Sequence, residues 1–385
     1  MEMVNPVAVV YDYKKDVRLS IQLISWVLKP FGAWPKSDKM SHIERYAYKL
    51  VNVICTSLIA FVFIPSAIYL VLEEDDAYVK MKVAAPLNFN LMAVVKYFAL
   101  IFRENDIRSG IEHIMSDWMN TRHYDDRTIM IRNAKFGQRL VMICTVFMYG
   151  GLAFYCIVLP LSSGKVTEDD GNLTYRPLAY PVANVLGDVR RSPINEIFFC
   201  LQALSDFIVH SITAGACSLA AVFAMHAYGR LEILMQWIEH LIDGREDFYD
   251  NVDDRLTTIV QQHVRILHMC FVEYFVIVEW ENKEMTSYVT YVVLYIAVTF
   301  NIFILCYVGE LVAEKYKKIG EISYMIDWHR LSGRKGLDLI LIIAVSNQTS
   351  IKLTAGNFFE LSLSTFCDVV KTSFGYLNML RTLTT

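Results

Sequence analysis

Two uninterrupted apolar runs constrain this chain more than anything else in it. Leu50–Leu72 is 23 residues without a charge, and Leu140–Gly164 is 25. About 20 apolar residues suffice to cross the hydrocarbon core of a bilayer as a helix, so each run can span. Composition agrees. Of the 385 residues, 55% are hydrophobic and 20% charged, against about 25% charged in an ordinary soluble domain. The chain reads as an all-α polytopic membrane helix bundle. Further candidate spans are Val83–Phe102, Ile194–Met225, Thr286–Leu311 and Leu361–Leu383, with the third span placed at Leu140–Leu161.

Basic residues set the orientation of such a bundle, because Lys and Arg favour the cytoplasmic side. Residues 1–49 carry eight of them, residues 103–139 seven, and residues 312–338 six. The loop after the first span opens instead with Glu73-Glu74-Asp75-Asp76. The N-terminus is therefore expected inside. The sequon at Asn172 falls on the expected outer side and the one at Asn347 on the inner side, so Asn172 is the expected glycosylation site. For residues 312–338 to lie inside, the chain must cross once between Arg230 and Thr286. Only "RILHMCFVEYFVIVEW", Arg265–Trp280, offers a crossing there. Its 16 residues give roughly 24 Å of helix against a core of about 30 Å. The N-terminus shows no cleavable signal, and the first span is expected to direct insertion. "SIQLISWVLKPFGAWP" suits an interfacial amphipathic segment. The fourth span is expected to continue below the membrane, since Leu231, Leu234, Trp237, Ile238 and Leu241 keep helical spacing. The apolar stretch Leu337–Val345 is too short to cross and suits a packed cytosolic helix.

Much chemistry is excluded. A net charge of −4 gives no basic excess for nucleic acid, and the eight cysteines all lie in apolar stretches, where thiols act as small hydrophobes. There is no Gly-rich phosphate loop, no His-Glu-x-x-His, no Cys-x-x-Cys and no Gly-x-Ser-x-Gly. No histidine pair has the spacing and partners of a metal site. Neither a cofactor, a metal nor a catalytic residue is expected.

Intramembrane charges are the informative residues, because each is costly unless paired or wet. They are Lys96, Glu196, Asp206, His210, Asp368 and Lys371. Lys96 lies seven residues from Arg103 and is expected to snorkel toward the inner surface. Asp206 and His210, four apart, can pair along one helix face, either as a structural pair or at the wall of a ligand cavity. On the last span Asp368, Thr372, Gly375, Met379 and Thr382 recur at spacings of four and three. They form a stripe of small, polar or flexible side chains, while Val369, Val370, Phe374, Leu377 and Leu380 fill most of the remaining surface. Several copies of such a helix around an axis would turn the stripes inward and enclose water. A single copy would instead pack inside its own bundle.

Beyond these patterns the chain resembles an insect odorant receptor over nearly its whole length. The resemblance is carried by "LTAGNFFELSLSTF" with "VVKTSFGYLNMLR" at the C-terminal end, by "FILCYVGELV", by "MHAYGRL" and by "WVLKPFGAWP". The last of these and "VIVEWENKE" are most similar to receptors of ants, bees and wasps, of the ligand-specific tuning type. The resemblance implies seven helices with the N-terminus inside and the C-terminus outside. It further implies a plasma-membrane protein of olfactory sensory neuron dendrites. That protein would form a heterotetramer with a shared co-receptor, giving a non-selective cation channel opened by small volatile hydrophobic ligands. The last helix would line the pore, with Met379, Thr382 and Leu383 at its outer gate, and the region around Leu337–Val345 would join subunits. The ligand pocket would be lined by Tyr97, Phe98, Met148, Gly151, Tyr155, Phe207, Ser211, Tyr291 and Tyr295. Of these, Met148, Gly151 and Tyr155 share one helix face.

One departure stands out. Family members carry about 25 more residues between the "RILHMC" and "VIVEWEN" stretches, so the fifth span is shortened here. The division that follows is a cytosolic segment over 1–49, a transmembrane bundle over 50–311, a cytosolic anchor region over 312–360 and a pore helix over 361–385. A seven-helix G-protein-coupled chemoreceptor is the main rival, and it requires the opposite orientation. A non-functional truncated variant is another alternative. A secondary transporter would show repeated halves, which are absent. The ending "GYLNMLRTLTT" does not fit an insect gustatory receptor.

Overall fold

The computed structural model describes residues 13–36, 40–121, 123–154, 156, 166–167, 174–175, 178–187, 189–242, 252–276, 288–325, 354–355 and 359–384. Among the described residues there are nine α-helices. They are α1 (Tyr13–Leu28), α2 (His42–Leu72), α3 (Ala77–Phe102), α4 (Glu104–Asn120), α5 (Tyr124–Ala153), α6 (Ile194–Glu239), α7 (Val252–Val276), α8 (Tyr288–Met325) and α9 (Leu363–Thr384). Two antiparallel two-residue pairs accompany them, Val166–Thr167 with Thr174–Tyr175 and Thr354–Ala355 with Phe359–Glu360. The fold is a helical membrane bundle. By length and composition α2, α5 and α6 can cross a membrane, and Pro86–Phe102 of α3 is a shorter apolar stretch.

The apolar runs dictate this plan. Leu50–Leu72 fills the outer three quarters of α2, whose first turn is closed by the Ser41 N–H donating to Glu44 Oε2 at 3.0 Å. The 46-residue α6 carries the fourth span straight on into the helical extension that the 231–241 pattern predicts. Every residue from Ile208 to Ala227 is buried, because α6 stands at the centre and packs against α1, α2, α3, α5, α7 and α8. In lipid no hydrophobic force drives helices together, so close approach depends on small side chains. Here they are Ala214, Gly215, Ala216, Ser218, Ala220, Ala221 and Ala224. At Gly215 a Cβ would collide with the Leu28 methyls.

Leu28 belongs to the segment that the sequence suits to a lipid surface. The structure gives that segment protein partners instead. Ile24 and Leu28 are buried, and α1 packs on α4, α5 and α6. Arg127 Nη2 lies 2.6 Å from Asp16 Oδ2. Gly32, at φ 65°, closes the turn after α1, and the Phe31 carbonyl accepts the Tyr97 hydroxyl at 2.8 Å. Lys96 also departs from expectation. It turns inward, 7% exposed, with Nζ 3.9 Å from Cys217 Sγ of α6, since the small α6 side chains leave room between the helices. Asp206 and His210 do not pair with each other's side chains: the imidazole bonds the Asp206 carbonyl. Leu337–Val345, Asn172 and Asn347 lie outside the described residues, as do 277–280 at the end of the expected fifth crossing, the remainder of which lies in α7.

Helices α4, α6 and α7 are joined by a charge knot. Asp117 of α4 sits 3.0 Å from His226 Nε2 and 3.7 Å from Arg230 Nε of α6. Arg265 Nη2 of α7 is 3.1 Å from Asp117 Oδ1, near enough for charge pairing though not aligned as a hydrogen bond. Arg230 donates to Gln262 Oε1 at 2.6 Å. Burial pushes the Asp117 carboxyl up, but the His226 hydrogen bond and the charges of Arg230 and Arg265 outweigh it and hold it below the usual carboxylate range.

Asp117→Ala would leave the buried Arg230 guanidinium beside the half-buried Arg265 without the anion they share. We expect it to lower stability by about 3–5 kcal/mol, read as a fall in the melting temperature of the detergent-solubilised protein. Glu314→Ala, which removes the exposed Glu314–Lys318 pair, should leave that temperature unchanged. Since the folded carboxyl is depressed, the knot's contribution is complete above its ordinary pKa of about 4 and fades only as pH falls further.

Candidate functional site

A loop residue organises the polar groups inside the bundle. Tyr180 precedes α6 and is 2% exposed. Its backbone docks on Gln202 of α6, whose Nε2 donates to the Tyr180 carbonyl at 2.8 Å and whose Oε1 accepts the Tyr180 N–H at 3.2 Å. The next carbonyl, of Pro181, accepts Ser66 Oγ of α2 at 2.8 Å. Glu73 accepts the N–H groups of Asn184 and Val185 at 2.9 and 3.1 Å. So anchored, the Tyr180 hydroxyl donates to Asp206 Oδ1 at 2.8 Å and accepts from Asn90 Nδ2 of α3 at 2.9 Å. Asp206 Oδ2 accepts from Cys156 Sγ at 3.4 Å. An acid at zero exposure is thereby held by two side chains, Tyr180 and Cys156, the first of them steadied by Asn90, as intramembrane acids must be.

One turn further along α6, His210 Nδ1 lies 2.8 Å from the Asp206 carbonyl, and its ring packs on Phe89 of α3 with centroids 4.9 Å apart. Ser211, fully buried, shares a 2.6 Å hydrogen bond with Tyr149 of α5 and donates to the Phe207 carbonyl at 2.7 Å. The Tyr149 ring packs on Phe207 at 5.7 Å, and Phe31 meets Phe207 edge-on at 6.0 Å.

Of the residues expected at a pocket, the structure brings Phe207 and Ser211 together around Tyr149, and Tyr97 joins them through Phe31. Phe98 is half-buried, its ring against Tyr97 and Phe102. Met148 packs elsewhere, in the cluster with Cys144, Ala214 and Cys217, and Gly151 is buried on the same helix. Tyr155 lies outside the described residues, and Tyr291 and Tyr295 lie on α8 with side chains outside them. Sequence reasoning missed Tyr180, Asn90, Gln202 and Tyr149. The first sits in an aperiodic loop, and none carries a charge that would mark it.

The second candidate feature is the surface of α9. Ser364, Cys367, Asp368, Lys371, Thr372 and Gly375 are all exposed and recur at spacings of three, one, three, one and three, which is a single helix face. Asp368 and Lys371 form a 3.9 Å pair in which both side chains are more than two thirds exposed. Thr372 satisfies its hydroxyl on the Asp368 carbonyl at 2.6 Å. Met379, Thr382 and Leu383 continue the helix, with side chains outside the described residues. Among the described residues no group of His, Cys, Asp and Glu could hold a metal ion.

A family model described as 7tm Odorant receptor matches residues 79–273 and 269–374. Odorant receptor 82a of Drosophila melanogaster is 21% identical over 258 residues, covering 61% of this chain and 65% of that protein. Odorant receptor 22c of the same fly is 26% identical over 137 residues, covering 35% of this chain and 33% of that protein. The chain thus spans less than two thirds of these relatives. The structure of the insect olfactory receptor OR5 from Machilis hrabei superposes with TM-score 0.76 at 16% identity, over 96% of this chain and 99% of that one. Its complex with eugenol gives 0.73 at 15%, over 97% and 100%. At these identities the likeness speaks to the fold.

Tyr180→Phe removes one hydroxyl that serves Asp206 and Asn90 together. The expected cost is about 1–3 kcal/mol for the acid left short of a donor. Its local sign would be faster cleavage of the 161–193 loop by a protease added from outside. Unchanged cleavage would mean that the loop is held by its Gln202 and Ser66 contacts alone.

Proposed function

We propose, on the premise that this chain belongs to the 7tm Odorant receptor family, that it is an odorant receptor subunit. It binds small volatile molecules within the membrane bundle and gates a non-selective cation channel together with a shared co-receptor. The family is one of receptors rather than enzymes, and the chain is a multi-pass membrane protein. The observation that carries the channel reading is the exposed polar face of α9. A carboxylate and an ammonium on the outside of a membrane helix cannot face hydrocarbon without a cost of several kcal/mol. Water or a neighbouring subunit relieves that cost, and a ring of such helices supplies both. Ligand binding is supported by the OR5 structure in complex with eugenol, a neighbour of the same fold. It is supported also by the aromatic and hydroxyl groups gathered at Phe207, Tyr149 and Ser211.

In this reading residues 1–49 and 312–360 lie in the cytosol, 50–311 form the ligand-binding bundle, and 361–385 line the pore of a heterotetramer in the plasma membrane of a sensory dendrite. The short fifth segment fits the break in the family match, whose two stretches meet at 269–273.

Co-expression with the co-receptor and current recording across an odorant panel test the proposal. At least one small volatile should evoke a cation current, and Asp368→Asn should shift the reversal potential under bi-ionic conditions, since charge at a narrow pore acts on permeation directly. Silence across the panel at normal surface labelling would favour a non-functional variant. Enzymatic deglycosylation should shift a mutant retaining only Asn172 and leave one retaining only Asn347 unchanged, and the reverse would invert the orientation.

A further inference from the structure

The proposal that the bundle binds small volatiles leaves their chemistry open, and one buried histidine narrows it. His210 lies about 24 Å along α6 from its outer end and is 4% exposed. Its Nδ1 is 2.8 Å from the Asp206 carbonyl oxygen. A carbonyl can only accept, so Nδ1 carries the proton, and in the neutral ring Nε2 is left with a lone pair. Nε2 is buried and has no hydrogen-bond partner among the described residues.

Among the described residues the donors of this network are committed, apart from Ser205 Oγ, which is buried without a partner one residue before Asp206. The Tyr180 hydroxyl is given to Asp206, the Tyr149 and Ser211 hydroxyls engage each other, and the Asn90 amide N–H groups go to Tyr180 and the Pro86 carbonyl. Asn90 Oδ1, on the helix whose Phe89 packs on His210, is a second buried acceptor without a partner among the described residues. Buried acceptors closed off from water are costly to leave unmet. An apolar wall is also present in Phe89. The arrangement has the form of a ligand site that is mostly apolar with a few placed polar groups, and the polar groups lack a donor.

We propose that His210 is a specificity-determining residue whose Nε2 accepts a hydrogen bond from the hydroxyl of an alcohol- or phenol-type ligand. This rests on the odorant-receptor reading above. Ethers, esters and ketones of the same skeleton offer no donor and leave Nε2 as it is. A site with an unmet polar group disfavours the analogue that cannot meet it.

The test records currents from the chain co-expressed with the co-receptor, using matched pairs: straight-chain alcohols against their methyl ethers, and phenols against the corresponding anisoles. The hydroxyl member should act at about tenfold lower concentration, the worth of one net hydrogen bond. His210→Leu should bring the pair to within about twofold while the ether response stays. His210→Gln, which keeps an acceptor oxygen near the Nε2 position, should retain the preference. Equal potency within pairs in the unaltered chain would assign Nε2 to a buried water and overturn the proposal. So would a preference that survives His210→Leu, or a panel with no hydroxyl-bearing agonist. The last control concerns the site itself. If Ser211→Trp, which fills the neighbouring space, alters the response to neither member of any pair, the ligand lies elsewhere and the bundle site fails with its handle. If it abolishes both while His210→Leu changes nothing, the site stands and only the handle is lost.

Discussion

Small side chains on α6 are the condition that the other helices meet. The apolar stretch of α6 is 94% buried, against 22% for that of α2, so α6 is the axle and α2 the rim. In a bilayer this placement cannot come from hydrophobicity, because lipid tails are as apolar as any side chain. It comes from surface fit. Gly215 admits Leu28, and Gly229 meets Asn133 of α5 with little room to spare. Bulk at these points would push α1 and α5 outward.

Once α6 is buried on all sides, its polar residues have no route to water and must find partners in neighbouring elements. They do so at two levels. At one, Asp206 is met by Tyr180 and Cys156, and at the other His226 and Arg230 are met by Asp117 and Gln262, with Arg265 adjacent. The Asp117 level ties three helices together, with one carboxylate set among two guanidinium groups and an imidazole. At the Asp206 level His210 Nε2 is left over as an acceptor among the described residues.

The sequence states the helices more clearly than it states their partners. The uncharged runs locate α2 and the second half of α5, the other apolar stretches locate α3 and α6, and the 231–241 pattern extends α6 past its span, because a span must satisfy its backbone internally and only a helix does so. The same patterns say nothing about which protein surface covers a given face. Thus α1 reads as a lipid-surface segment because its amphipathic stripe is the same whether lipid or Leu28's neighbours receive it. Lys96 reads as a snorkelling cation because Cys217, which it meets, is 121 residues away. Asp206 and His210 share a face as their spacing requires, but the acid is drawn off by Tyr180 and the imidazole by a carbonyl. A loop tyrosine leaves no periodic trace. The exposed face of α9, by contrast, was legible, since a polar stripe on an otherwise apolar helix needs no partner to be visible.

The two candidate features are joined by continuous packing. Phe147 of α5, two residues before Tyr149, meets Phe300 of α8 at 4.6 Å between centroids. Phe300 meets Phe303 at 6.0 Å, and Phe303 meets Phe366 of α9 edge-on at 5.3 Å. Below this row the contact tightens to backbone. Gly309 faces the Leu361 carbonyl with no space for a Cβ, and Glu310 Oε2 accepts the Leu363 N–H at 3.1 Å, where the helix dipole favours an anion. A close-packed interior does not absorb displacement smoothly. A shift of α5 at Tyr149 is therefore resisted or passed on through α8, whose grip on the first turn of α9 is through a hydrogen bond and a backbone contact rather than a compressible side chain. Asp368 follows that first turn by five residues, on the face turned away from the bundle. Among the described residues, the helix that carries the polar stripe is thus held to α8 at its first turn, and its polar side is exposed.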